Sequence, residues 1–268
     1  MAPHKSKFLL ACSRELWNSC LCGQNHSIKV EDKVVCETKS EKLLGLFLDQ
    51  DLPWKTYLWG ENWRDENNWP GLLPQLTKRV GLIRKLSHTL PKKALKSIAA
   101  GLFYSKLLYA LPGFGNTWGF LGYKEKEPKR TTTTKGDMEA LQRLQKRVTR
   151  VTLGKTGHDL PTEELLKQGK GLSVHQLSTS NMVVELHKAM ISGRPDFVVK
   201  KCSKLPDIRT QQGTLSKEIS RLCIWAESFF PRAIKIYNHV LNRLKQLGMA
   251  DFKKEVTKWI KLKVSIKP

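Results

Sequence analysis

The apolar period of the chain changes at Pro70, and that change limits the folds open to it. Before Pro70 the apolar residues come in short runs: Lys7 to Cys12, Ile28-Lys-Val30, Val34-Val-Cys36 and Leu43-Leu-Gly-Leu-Phe-Leu48. Runs of this length are strand-sized and too short for a buried helix. Glu31-Asp-Lys33, between two of them, reads as a hairpin turn. After Pro70, Leu72, Leu76, Val80, Ile83 and Leu86 recur at three- and four-residue steps, the spacing of one face of a helix. The expectation is an α+β chain, with a small antiparallel sheet at the N-terminus followed by a mostly α-helical region. So small a sheet buries little by itself and reads as the edge of something larger.

Punctuation residues divide the helical region. Pro91 opens a second helix expected to run to about Leu111, where Pro112-Gly113 stops it. Residues 122–136 have no apolar periodicity and read as a linker. A third helix, about Asp137 to Leu153, presents Leu141, Leu144, Val148 and Val151 on one face. Pro161, with Glu163 and Glu164 behind it, starts a short helix. Ser173 caps a longer one reaching about Ser192, where Gly193-Arg-Pro195 ends it, and two more are expected at 231–247 and 250–262. No repeat of fixed period is present.

Charge then narrows the partners. Among 268 residues, 47 are Lys or Arg and 24 are Asp or Glu, a net charge of +23. A surplus of that size repels itself unless a polyanion is near, and nucleic acid offers sequence-independent affinity through phosphate neutralisation. The cations fall between the apolar positions of the helices. Lys78, Arg79, Arg84 and Lys85 lie on the first, Lys92, Lys93 and Lys96 at the start of the second, and Arg143, Lys146, Arg147 and Arg150 on the third. Ten more Lys or Arg follow between 232 and 267. Each set is a phosphate-contacting face or a solvated one. No apolar run approaches the roughly 20 residues of a membrane span, and no export signal opens the chain. The six cysteines, 12, 20, 22, 36, 202 and 223, therefore read as reduced thiols.

Chemistry-bearing constellations are sparse. Asp49 and Asp51 follow the run at Leu43–Leu48, where metal-binding carboxylates occur but ordinary turn residues do too. Cys20, Cys22, His26 and Cys36 assemble into a zinc site on paper, with a spacing unlike that of a zinc knuckle or ribbon. His175 and His187 share a helix but stand twelve residues apart. There is no nucleophile elbow, phosphate-binding Gly-rich loop or His-Glu-x-x-His pair, and no cluster of convergent carboxylates for two-metal phosphoryl transfer. Trp54, Trp59, Trp63 and Trp69 crowd one segment, either as a platform for bases or as packing for a connector.

The order of segments carries more. Lys42-Leu-Leu-Gly-Leu-Phe-Leu-Asp49-Gln-Asp-Leu-Pro-Trp54 resembles a Lys-x-Leu-Gly-(x)-Asp-x-x-Leu-x-Trp motif of non-LTR (LINE-type, jockey-like) retrotransposon reverse transcriptases. His4-Lys-Ser-Lys7 resembles that family's Asn-x-x-Lys-Thr motif without its Asn. Leu82-Ile-Arg-Lys-Leu86 and Leu107-Leu-Tyr-Ala-Leu111 fall where the family has thumb helices. Leu141-Gln-x-x-Gln-Lys-Arg147, Pro161-Thr-x-x-Leu-Leu and Leu172-Ser-Val-x-Gln-Leu177 are similar to the segments that follow. Ser228-Phe-Phe-Pro-Arg-Ala-Ile-x-x-Tyr-Asn238 and Phe252-Lys-x-x-Val-x-x-Trp259 resemble the closing motif. Each is short; their collinearity from residue 4 to 260 is the stronger signal.

The resemblance implies the C-terminal part of such a polymerase. Residues 1–60 would be the end of the palm with a primer-grip-like segment around Lys42, and 61–121 the thumb-like helices. Residues 122–136 would be a linker and 137–268 a basic C-terminal region. The Tyr/Phe-x-Asp-Asp turn that holds the family's catalytic metals is not in this sequence. No polymerase activity of the chain's own, no catalytic or metal-ligating residue and no cofactor are therefore expected, although the parent family would use Mg2+. The implied partner is nucleic acid, as RNA, DNA or RNA–DNA heteroduplex, together with the missing upstream polymerase segment if the two are made together. A membrane is not expected, and the location would be nuclear or cytoplasmic. The alternatives are a host-adapted basic nucleic-acid-binding protein and a non-functional pseudogene product.

Overall fold

A computed structural model of the chain describes residues 9, 27–30, 33–38, 40–49, 54–60, 70–115, 135–155, 160–202, 215 and 229–264. The chain divides into two compact units, Met1–Gln75 and Leu76–Pro268.

The described residues of the first unit include two hairpins. β1 (Ser27–Val30) pairs antiparallel with β2 (Lys33–Cys36), with Val30 opposite Lys33. β3 (Ser40–Leu43) pairs with β4 (Leu46–Asp49), with Leu43 opposite Leu46. The apolar run expected as one strand at Leu43–Leu48 therefore turns back on itself. Leu44 and Gly45 have φ of 50° and 80°, and a two-residue hairpin turn of this hand needs positive φ at both positions. Leu44 is placed there at some steric cost and is 83% exposed. Among the described residues the strands form two separate two-stranded sheets rather than one, and with the helices that follow they make the α+β fold the sequence predicts. Of the run Lys7–Cys12, only Leu9 falls among the described residues. β4 packs on α1 (Lys55–Trp59), and Phe47, Tyr57 and Leu58 are buried. Gly71, at φ 79°, lies so close to α1 that a Cβ would stand 2.3 Å from the Trp59 carbonyl carbon.

The boundary between units falls within α2 (Leu72–Leu86), whose Leu72, Leu76, Val80 and Ile83 are buried as their spacing predicts. α3 (Lys92–Ala99) starts behind Pro91, at φ −66°. It runs on through a π-helical segment, Ala100–Tyr104, into α4 (Ser105–Leu108). Leu95, Ala99, Phe103 and Leu107 are all buried and stand four residues apart. In a regular α-helix such a stripe drifts by about 40° per step, and the wider π turn takes part of that drift back. The helix ends at Leu108, before the expected stop. Ala110 takes a left-handed φ of 58°, and α5 (Leu111–Phe114) follows with Pro112 and Gly113 inside it. Pro112 sits in the first turn, where a missing N–H costs nothing, so it helps start a helix where the sequence predicted a stop.

α6 (Lys135–Leu153) begins two residues before its expected start, inside the range 122–136 assigned to a linker. Gly154 closes it at φ 68°. The Gly154 N–H donates to the Val151 carbonyl at 3.1 Å, and that of Lys155 to Arg150 at 3.0 Å, the two bonds of a Schellman motif. α7 (Thr162–Gly169) closes the same way around Lys170, at φ 54°.

α8 (Val174–Ser192) has the expected limits. The Ser173 hydroxyl accepts from the Gln176 N–H at 3.2 Å, the Gln176 side chain accepts from the Ser173 N–H at 3.0 Å, and Gly193 is left-handed at the other end. α9 (Asp196–Lys201), α10 (Phe229–His239), α11 (Asn242–Lys245) and α12 (Met249–Lys263) complete the described helices. The helix expected over 231–247 is thus two, broken at Val240-Leu241. α8 is buried on nearly every side because α5, α6, α9, α10 and α12 all pack on it. Met182, Val183 and Leu186 of α8 meet Ala233, Ile236 and Tyr237 of α10 and Phe252, Val256, Trp259 and Ile260 of α12 in one apolar cluster. Full burial of a Val, Leu, Ile, Met or Phe side chain contributes about 1.5–3 kcal/mol.

Candidate nucleic-acid interface

The cations singled out in the sequence have different fates. Lys42 is exposed on β3, in the first unit. Lys78, Arg84 and Lys85 are exposed on α2, Lys92, Lys93 and Lys96 on α3, and Arg143 and Arg147 on α6, with Lys146 and Arg150 half-buried. None of Lys78, Arg84, Lys85, Lys92, Lys93, Lys96, Arg143, Lys146 and Arg147 has an acidic partner among the described residues. α3 packs directly on α6, so these two basic helices share one region of the second unit.

Two arginines leave this set for structural work. The π segment shifts the hydrogen-bond ladder, and the Ser105 N–H reaches the Ala100 carbonyl five residues back. The Ser105 hydroxyl takes the Gly101 carbonyl, and half-buried Arg79 of α2 donates to the Leu102 carbonyl. Arg79 thereby fastens α2 to the π segment. Arg232, counted in the sequence among the C-terminal cations, is only 7% exposed. Its guanidinium donates to the carbonyls of Gly113, at 3.1 Å, and Gly115, clamping α10 to the end of α5. Arg232 therefore does not belong to a solvent-facing basic surface. Lys245 is half-buried, with its ammonium 5.2 Å from the Tyr237 ring centre, and burial lowers its pKa.

Lys92 shows how one helix can host a cation at its unfavourable end. The amino terminus of α3 repels positive charge. A Cβ at Gly154 would lie 3.0 Å from Lys92 Cε and 3.4 Å from its Nζ, so the ammonium stands beside the carboxyl end of α6, where a helix attracts cations.

The segments Leu141–Arg147 and Leu172–Leu177, noted separately in the sequence, meet in space. Gln142 Oε1 accepts from the Val174 N–H at 2.9 Å, and its Nε2 donates to Gln145 Oε1 at 2.9 Å. Gln145 Nε2 donates to the Leu172 carbonyl at 2.8 Å. Gln176, while boxing the cap of α8, donates from Nε2 to the Val264 carbonyl at 3.0 Å. Three glutamines thus satisfy the backbone entering α8 and tie it to α6 and to the end of α12. Helical periodicity carries no sign of this, because the partners are 27, 32 and 88 residues apart.

Both histidines of α8 are buried and neutral. The Leu247 carbonyl can only accept, so His187 Nε2 carries the proton toward it at 3.2 Å, and Nδ1 accepts from the Tyr237 hydroxyl at 3.0 Å. The ring stacks on Phe252 at 3.5 Å. Burial lowers the His187 pKa, opposed by the bond to Leu247, and pushes Tyr237 up to about 12. His175 makes no hydrogen bond through either ring nitrogen. Burial and then the charge of Lys135 push it down to about 4.

Among the described residues, no three His, Cys, Asp or Glu side chains converge as metal ligands. Cys36 carries an exposed free thiol on β2, Asp49 ends β4, and Cys20, Cys22, His26 and Asp51 lie outside the described residues. Trp54 meets Tyr57 edge-on at 6.1 Å and Trp59 is half exposed, while Trp63 and Trp69 lie outside the described residues. No described helix is long and apolar enough to cross a membrane. A lined groove of about 340 Å3 lies between α3, the π segment, α6 and the ends of α7 and α8.

Comparison with protein-family models, with curated proteins and with solved structures finds no match for this chain.

Proposed function

We propose that the chain binds nucleic acid through its phosphate backbone, as the C-terminal part of a non-LTR reverse transcriptase without a polymerase site of its own. The observation that carries the binding reading is the set of cations on α2, α3 and α6 that have no acidic partner among the described residues. Packing of α3 on α6 gathers part of that charge into one surface, and phosphate neutralisation rewards such a surface whatever the sequence bound. The polymerase ancestry rests on the collinear motifs alone. Its expected partner is an RNA–DNA or RNA duplex, in the nucleus or the cytoplasm.

Binding of a fluorescent RNA–DNA heteroduplex, followed by anisotropy across a salt series, tests this reading. Log affinity should fall linearly with log salt, with a slope of about −0.7 to −0.9 per phosphate contacted. Replacing exposed Arg143 and Arg147 together by Gln should make that slope shallower and leave the circular dichroism spectrum intact. An affinity indifferent to salt would overturn the binding reading. Nucleotide incorporation by the purified chain would overturn the statement that it has no polymerase site.

A further inference from the structure

We infer that the groove between α3, the π segment and α6 seats one unpaired nucleotide of a single strand, an inference that rests on the nucleic-acid reading above. Its walls come from Lys96 and Tyr104 on one side, Thr149 and Thr152 on another, and Gly169 and Gly171 at the end of α7. The volume of about 340 Å3 lies within the roughly 300–1,000 Å3 range of small-ligand sites.

Three features fit this occupant. Tyr104 is a half-buried aromatic wall, held edge-on by Phe103 at 5.3 Å, and a fixed ring is a stacking surface for any base. The hydroxyls of Thr149 and Thr152 spend their protons on the carbonyls of Gln145, at 2.9 Å, and Thr149, at 3.0 Å. Their hydroxyls are thus tied to the backbone, and Thr149 turns its methyl toward Gly169, where a Cβ would stand 3.1 Å from Cγ2, an apolar wall for a base. The charge matches a phosphate: Lys96 lines the groove, and exposed Lys170 stands in sequence between two lining glycines. The acidic pair Glu163 and Glu164 is at the opposite end of α7. The π segment that supplies Tyr104 has the geometry often found at ligand sites. A duplex buries its bases in the stack, so this seat is open only to an unpaired nucleotide.

The test compares a short single-stranded RNA with a blunt RNA–DNA duplex of the same sequence on the full chain, at one salt concentration. Tyr104→Ala should weaken single-strand binding about tenfold and leave duplex binding within about twofold. Tyr104→Phe, which keeps the stacking face, should behave as the parent. Ala100→Trp, placed on an exposed lining residue, should block the groove and reproduce the loss without touching Tyr104. Parental single-strand affinity in Ala100→Trp, or equal losses on both nucleic acids in the two disruptive variants, would overturn the inference, while duplex binding by the parent chain would keep the wider reading. If the parent chain bound neither nucleic acid, the wider reading would fall and this one with it.

Discussion

His175 is the residue whose environment most contradicts its chemistry. It sits at the first turn of α8 with no exposed surface and no partner for either ring nitrogen. Gly115 packs against the same helix, one turn on at Ser178, so closely that a Cβ there would stand 2.4 Å from the Ser178 hydroxyl. The folded protein holds His175 at a pKa of about 4, against 6.5 for an exposed histidine. Because the folded value is the lower one, the unfolded chain takes up the proton first. Stability is therefore complete above about pH 6.5 and declines as the pH falls toward 4, by up to about 3 kcal/mol from this group. His187 is lowered as well and acts in the same direction. His175→Leu should flatten much of that decline, measured as the midpoint of urea unfolding between pH 7 and 4.5. An unchanged pH profile would show that carboxylates elsewhere govern acid stability.

Among elements, α8 was the most legible from sequence and α3 with α4 the least, for opposite reasons. Ser173, Gln176 and Gly193 announce both ends of α8 through local hydrogen bonds and one left-handed residue, which depend on neighbours within a few positions. Ser173→Ala should cost about 1 kcal/mol, read as a lower unfolding midpoint with unchanged denaturant sensitivity. The break at Tyr109-Ala110 has no comparable signal. Ala110 is left-handed although nothing in its type favours that, and it stands between Leu107 and Leu111, both fully buried. The turn at Leu44-Gly45 hid within an apolar run because Leu44 ranks as apolar by composition while serving as an exposed hairpin tip. Of the candidate interface, the exposed cations on α2, α3 and α6 were visible as residues between apolar positions. The burial of Arg232 and the use of Arg79 on a carbonyl were not, since both depend on partners distant in sequence: Leu102 for Arg79, and Gly113 and Gly115 for Arg232.

For the molecule as a whole, the net charge of +23 sets two opposite responses to salt. Self-repulsion opposes the compact state, and screening relieves it, so the free protein should melt at a higher temperature in 150 mM than in 20 mM salt. Nucleic-acid affinity should fall over the same range. Differential scanning fluorimetry of the free chain provides the first measurement, and a melting temperature that drops with salt would mean that attractive ion pairs outweigh the repulsion.

Gln176 gives this molecule a long-range dependence. One amide holds the Ser173 N–H with its oxygen and the Val264 carbonyl with its nitrogen, so the chain's last described residue helps fix the entry to its central helix. Loss of the end is therefore felt in the middle. A message terminated just before codon 264 would deliver a protein whose Gln176 side chain keeps its bond to the Ser173 N–H but has lost the acceptor that anchors its amide nitrogen, and the backbone amides of Gln176 and Leu177 would exchange their hydrogens faster although every residue around them was intact.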